Sequence, residues 1–111
     1  MKGIVNYSVE IFKTATGKMP FKKWINDLAD MRARVAIEMR IDRLSLGNLG
    51  QSKSLGGGLH ELKVDVGPGY RVYFGRVGQQ VILLLCAGDK KSQQKDIDKA
   101  REYLEDYKMR G

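Results

Sequence analysis

The sequence predicts an α+β domain, in which one sheet carries helices packed against it. Three observations carry that prediction. Hydrophobic periodicity switches between two residues and about 3.6 residues along the chain, marking both strands and helices. The connections between the last strands, Gly67-Pro68-Gly69 and Gly78-Gln79, are so short that neighbouring strands must run antiparallel. Finally, Val81-Ile-Leu-Leu-Leu-Cys-Ala87 is a run of strand length with apolar residues on both faces, which suits a central, covered position.

Taken in order, residues 4–12 are rich in β-branched and aromatic types and read as a strand. A turn with Gly17 follows, and Pro20 suits the first turn of a helix. Phe21, Trp24, Ile25 and Leu28 recur at i, i+3, i+4 and i+7, giving that helix one apolar face. A second helix runs from about Met31 to Leu46, with Ala33, Ile37, Ile41 and Leu44 on one side. Gly47 and Asn48 end it, as residues that tolerate a left-handed backbone. So short a join implies an antiparallel helical hairpin, with Trp24 and Ile37 buried against Val72 or Phe74 of the sheet. Residues 47–58, with five glycines, read as a loop. Three strands follow, Leu59–Val66, Tyr70–Val77 and Gln80–Ala87, as a three-stranded antiparallel meander. Val81, Ile82, Leu83 and Leu84 of the last strand should be nearly inaccessible. Ser92 is placed to cap a C-terminal helix that runs to about Tyr107, with Ile97, Ala100, Leu104 and Tyr107 as its apolar stripe.

A chain of 111 residues fits one domain, residues 1–111, and its 42% hydrophobic and 30% charged composition is that of a folded protein. No apolar run approaches the roughly 20 residues needed to span a bilayer, and no apolar stretch before Glu10 resembles a signal peptide. A lone cysteine, Cys86, makes no internal disulfide, which fits a reducing cytoplasm, and excludes a multi-cysteine zinc site. The net charge of +7 favours acidic partners. Residues 1–52 hold nine Lys/Arg against five Asp/Glu, and residues 53–111 eleven against eight. With no basic tail, any nucleic-acid site has to be assembled by folding.

Leu55-Gly-Gly-Gly-Leu59 lacks the Lys-Ser/Thr pair with which a phosphate-binding loop ends, and reads as a plain loop. His60, the only histidine, has no cluster of further ligands around it; it is either a general base or a half-exposed strand residue without that role. Alternation places Arg71 and Tyr73 on one strand face and Tyr70, Val72 and Phe74 on the other. The apolar set should face the helices, leaving Arg71, Tyr73, Glu61, Lys63 and Asp65 on an open face. Cross-strand salt bridges are the simpler account of these charges, and a convergent anion site is the other. Gly88-Asp-Lys-Lys-Ser-Gln93 sets lysines at a strand end beside the arginine-bearing strand, as a solvated turn or as part of a phosphate site.

These segments, in their order and spacing, also resemble a family. Gly47-Asn48, Leu55-Gly-Gly-Gly-Leu59, Glu61-Leu62-Lys63, Gly67-Pro-Gly-Tyr-Arg-Val-Tyr-Phe74, Leu83-Leu-Leu85, Gly88-Asp-Lys90, Ser92-Gln93 and Asp96-Ile97 are similar to the addiction-module killer proteins of the RelE/ParE toxin superfamily, near HigB. The resemblance runs from Phe12 to about Tyr103. It implies a RelE-like toxin fold: an N-terminal strand, a helical hairpin, a three-stranded antiparallel meander and a C-terminal helix. It also implies a cytoplasmic toxin of a type II toxin–antitoxin system, with no membrane, metal or cofactor. Its partners would be messenger RNA, the ribosome and a HigA-like helix-turn-helix antitoxin encoded by an adjacent gene.

The implied reaction is endoribonucleolytic: a ribose 2′-oxygen attacks the adjacent phosphorus, leaving a cyclic phosphate and a free 5′-hydroxyl. That chemistry needs a base, positive charge for the transition state and an acid for the leaving oxygen. By the resemblance Arg71, Lys90 and Lys63 carry the catalysis, Arg71 as the superfamily's strand arginine and Lys90 at its strand-end basic position. Glu61, His60, Tyr73, Lys91 and Gln93 are further candidates for catalytic or supporting roles. The chain departs from the family where Lys95-Asp96-Ile97 stands in a region that bears a catalytic tyrosine or histidine in some relatives. It departs again where Glu61 stands for a lysine. Two other readings remain: a ParE-like poison of DNA gyrase, and a non-catalytic module that binds nucleic acid or an antitoxin.

Overall fold

A computed structural model describes residues 6–110. It is an α+β domain with a mixed five-stranded sheet and three helices: β1 (Ser8–Ile11), α1 (Pro20–Asp27), α2 (Met31–Ser45), β2 (Ser52–Gly56), β3 (Leu59–Val64), β4 (Tyr70–Val77), β5 (Val81–Asp89) and α3 (Gln93–Arg110). The strand order is β1-β5-β4-β3-β2, with β1 parallel to β5 and every other pairing antiparallel. Ile4 and Val5 of the expected first strand lie outside the described residues.

Local signals explain the helices. Pro20 sits in the first turn of α1, which buries Phe21 and Ile25. Asp30 caps α2: its Oδ1 accepts from the backbone N–H groups of Arg32 (3.0 Å) and Ala33 (3.2 Å), filling two of the donors a helix start leaves open. Ala33, Ile37, Ile41 and Leu44 are the buried side of α2. The helix closes with Gly47 at φ 88°, its N–H donating to Leu44 O and that of Asn48 to Arg43 O. Among the described residues every positive φ belongs to a glycine, so Asn48 is not left-handed.

The structure corrects the expected sheet in three places. Residues 47–58 are not all loop, because Ser52–Gly56 form the edge strand β2 against β3, and the meander has four strands instead of three. Ser-Lys-Ser-Leu-Gly lacks β-branched residues and apolar alternation; an edge strand with both sides of its chain near solvent needs little beyond backbone pairing. Second, β5 is interior, as its two apolar faces require, but its first residue is less covered than expected. Ile82, Leu83 and Leu84 are buried, whereas Val81, at the strand's start, is only half-buried. Third, the register passes from Tyr73↔Cys86 to Phe74↔Leu84, so Leu85 is an extra residue in β5, a bulge. Leu85 and Cys86 therefore both belong to the same apolar cluster.

Each face of the sheet has its own core. On one, α1 and α2 close over Leu62, Val64, Val72, Phe74, Ile82 and Leu84. Ile37 is fully buried there, but Trp24 is only half-buried and packs edge-on to Tyr70, with ring centroids 5.7 Å apart, so the expected deep burial against Val72 or Phe74 does not hold for Trp24. On the other, α3 covers Leu59, Tyr73, Leu83 and Leu85 with Ala100 and Leu104. The face expected to be open is therefore largely covered. Glycine permits the close approach: a Cβ at Gly75 would stand 2.7 Å from Leu104 Cδ1, and one at Gly88 would press into Asp96 Oδ2. No helix among the described residues is long and apolar enough to cross a membrane.

Candidate functional site

The end of the sheet beneath the first turn of α3 gathers most of the candidate residues. Register aligns Lys53, Glu61, Tyr73 and Cys86 across β2, β3, β4 and β5. The next row is Lys63, Arg71 and Gly88. Glu61 is 3% exposed, the one buried charged residue among those described. Its Oε2 accepts from Gln93 Nε2 at 3.0 Å and lies 3.8 Å from Arg71 Nε, while its Oε1 lies 3.7 Å from Lys53 Nζ. A carboxylate this deep is tolerable because three donors surround it.

Arg71 is the most constrained cation here. Its side chain is 11% exposed, and its Nε is buried with no hydrogen-bond acceptor in range. Lys63, opposite it in register, is exposed, with its amine 3.7 Å from Asp65 Oδ1. Lys90 and Lys91 follow β5 and are exposed, Lys90 standing two residues beyond Gly88, the register partner of Arg71. The turn there is fixed by Asp89, whose Oδ1 accepts from the N–H groups of Lys91 (2.9 Å) and Ser92 (3.3 Å). Ser92 does not cap α3 through its side chain as expected; its hydroxyl donates to Asp96 Oδ2 at 2.5 Å, while its carbonyl accepts from Asp96 N–H.

Two expected members of the site are placed otherwise. Tyr73 is fully buried, and its hydroxyl, near Glu61, makes no hydrogen bond of good geometry. Burial, with the Glu61 charge adding, pushes its phenol far above the ordinary range, so it neither ionises nor reaches solvent. His60 lies on the α1–α2 side of the sheet, stacked on Phe74 with ring centroids 5.2 Å apart and a tilt of 12°. Burial and then the Arg76 charge lower its pKa. Strand alternation separates it from Arg71, so it drops out of the site. Cys86 is also inert: burial, then Asp96, pushes its thiol up to about 12.

The arrangement also includes residues the sequence reading passed over. Lys53 was hidden because its strand was unrecognised. Asp96, in the first turn of α3, sits over Gly88, and burial raises its pKa, with the Ser92 hydrogen bond opposing. Among the described residues no group of three or more His, Cys, Asp or Glu could hold a metal ion. What the cluster offers chemically is positive charge around one buried carboxylate, with an unfilled guanidinium donor.

No family model matches the chain. Over 83 residues, 75% of this chain and 84% of the relative, it is 43% identical to an uncharacterized protein of Haemophilus influenzae.

Proposed function

The chain belongs to one family with that Haemophilus influenzae protein, and we propose that it is a RelE/HigB-like toxin of a type II toxin–antitoxin system. In this reading it is a ribosome-dependent endoribonuclease that cuts messenger RNA in the cytoplasm and is silenced by an antitoxin from an adjacent gene. The observation that carries the proposal is the Arg71 guanidinium, held nearly buried beside Glu61 with no hydrogen bond from its Nε, at the end of the sheet where Lys63 and Lys90 are exposed.

The chemistry follows from charge. Attack of the 2′-oxygen forms a bond to phosphorus and the P–O5′ bond breaks, giving a cyclic phosphate and a 5′-hydroxyl. Negative charge on the phosphoryl oxygens rises in the five-coordinate state. A fixed guanidinium stabilises that state more than the ground state, and its planar fork suits a pair of phosphoryl oxygens. Glu61 and Gln93 are positioning groups in this reading: Glu61 keeps Arg71 and Lys53 at the sheet end, and Gln93 ties the carboxylate to the start of α3. Lys63 and Lys90 are the exposed amines for the remaining charge and for proton movement at the 2′- and 5′-oxygens.

The test is single-turnover cleavage of messenger RNA on translating ribosomes, with new 5′ ends mapped. Arg71→Ala is expected to slow cleavage on the order of 10²–10³-fold, the usual cost of losing one fixed transition-state donor. Arg71→Lys, which keeps a charge beside Glu61 but loses the fork, controls for folding and is also expected to be slow. Lys90→Ala should be the next most damaging change and Lys95→Ala should matter little. Wild-type cleavage by folded Arg71→Ala would refute the site. Gyrase-linked DNA breaks with intact messenger RNA would replace the reading with a ParE-like one, and neither activity would leave a binding module.

A further inference from the structure

Away from the Arg71 end of the sheet, α2 carries a second apolar line that the fold does not use. Met31, Val35 and Met39 recur at i, i+4 and i+8, and Leu46 continues the line just past the helix; they are 63%, 50%, 51% and 65% exposed. They are four of the six large hydrophobic residues exposed among those described; the other two, Val9 and Met109, stand singly on an edge strand and near the end of α3. Scattered exposed apolar residues need no explanation, but three set one helical turn apart, with a fourth on the same side, do. From Met31 to Leu46 it spans about 22 Å at helical rise, the length of a partner helix of roughly four turns.

Two features around the line define what fits it. First, it opens beside Met39 into a groove between α2 and the end of β3, walled by Arg40, Arg43, Val64, Val66 and Asp65, whose carboxylate is paired with Lys63. Second, Arg32, Arg40 and Arg43 border the line and the groove and form no ion pair among the described residues. Methionine side chains adapt their shape to a ridge laid against them.

We propose that this face of α2 is the docking surface for an amphipathic helix of another protein, one with an apolar ridge at i, i+4 spacing and carboxylates along the flank that meets the three arginines. A second copy of the chain fits less well. A two-fold antiparallel pairing of α2 with itself sets Arg32 of each copy beside Arg43 of the other, in a chain already at +7. An anionic lipid surface also fits less well, because helical spacing places Glu38 and Asp42 along the line's other flank and because a concave groove matches a ridge better than a plane. The proposal stands on α2 alone and does not depend on whether the sheet end cleaves RNA.

The experiment uses the full chain and two labelled helical peptides of equal length with leucines at i, i+4 and i+8, one flanked by glutamates and the other by lysines. Fluorescence anisotropy is expected to show the glutamate peptide binding, more weakly as salt rises, and the lysine peptide not binding. Val35→Glu, and separately the pair Arg32→Glu and Arg43→Glu, should each weaken it at least about ten-fold. All three positions are on the outer surface, so these variants are expected to fold, which circular dichroism checks. Equal binding of both peptides, or an unchanged affinity in folded Val35→Glu, overturns the proposal. So does a concentration-dependent dimer in sedimentation that Val35→Glu abolishes, which makes a second copy the occupant. Co-sedimentation with phosphatidylserine vesicles in the absence of peptide binding overturns it in favour of a lipid surface.

Discussion

The two faces of the sheet are built by different rules. Under α1 and α2, Leu62, Val64, Val72, Phe74, Ile82 and Leu84 form an unbroken apolar layer. Under α3 the layer is apolar only at one end, at Leu59, Leu83 and Leu85, and gives way to Glu61, Arg71 and a hydroxyl-bearing Tyr73 at the other. The first face gains from every buried methylene. The second holds an ion cluster whose desolvation offsets much of its attraction, a poor use of buried space for stability alone. Within it, Arg71 Nε meets Glu61 only as an ion pair at 3.8 Å, and neither it nor Tyr73 Oη makes a hydrogen bond, each a cost that a purely structural core would avoid. The difference locates stability on one side of the sheet and the candidate chemistry on the other.

The largest expected effect breaks the first face. Phe74→Ala removes a fully buried ring and the platform beneath His60, and should lower the unfolding free energy by about 3–5 kcal/mol in urea titration. A loss well below that range would mean that α1 and α2 collapse readily into the space, and that this face is less tightly packed than its burial indicates.

The same contrast shows what was legible in the sequence. The α1–α2 side could be read directly, because one apolar stripe per helix and one apolar strand face each demand the other; α2 and β4 start where the pattern places them. The second face was misread as open because Arg71, Glu61 and Lys63 looked like solvent-facing residues. The signal to the contrary was present: β5 is apolar on both sides, so it needs two covers, and α3 has its own stripe, which needs a sheet to cover. Which strand residues α3 reaches was not legible. It depends on the bulge at Leu85 and on the bare backbone of Gly75 and Gly88, neither of which leaves a periodic trace. Within the site, Arg71, Lys63, Glu61 and Gln93 were legible as candidates. The burial of Tyr73, the exile of His60 and the arrival of Lys53 required the register.

A smaller effect sharpens the boundary between the two ends of the second face. At Gly88 an added methyl group would press into Asp96 Oδ2 and stand 2.6 Å from Ser92 Oγ, so Gly88→Ala must displace the Asp96 carboxylate and the Ser92 hydroxyl at the first turn of α3. Overpacking of this kind costs about 1–3 kcal/mol. Because Gln93 opens α3 and holds Glu61, the shift should also disturb Arg71, and messenger RNA cleavage should fall more than stability does. Gly75→Ala makes the matching comparison at the apolar end, where the added carbon meets the flexible tip of Leu104. It should cost stability without a separate loss of cleavage. Equal effects of the two variants on cleavage would remove the distinction between the ends.

The smallest expected effect is a pH dependence carried by Asp96. Burial holds its pKa above the ordinary carboxylate value of 3.8, so the folded chain binds this proton more tightly than the unfolded chain. The sign follows from linkage: stability contributed by the group is fully present below the unfolded pKa and is lost as pH rises through the folded one. Asp96→Asn cannot ionise and escapes that loss. Its stability relative to the wild type should therefore rise as pH climbs from about 3.8 through the raised Asp96 pKa and then level off. Urea midpoints of both proteins across that range measure the difference directly. The Ser92 hydroxyl acts against the trend, because its hydrogen bond favours the ionised carboxylate. Ser92→Ala in the wild-type background should therefore raise the Asp96 pKa further and steepen the decline. A wild-type curve that runs parallel to that of Asp96→Asn would mean that the carboxylate over Gly88 is solvated, and that the first turn of α3 stands off the sheet instead of closing on it.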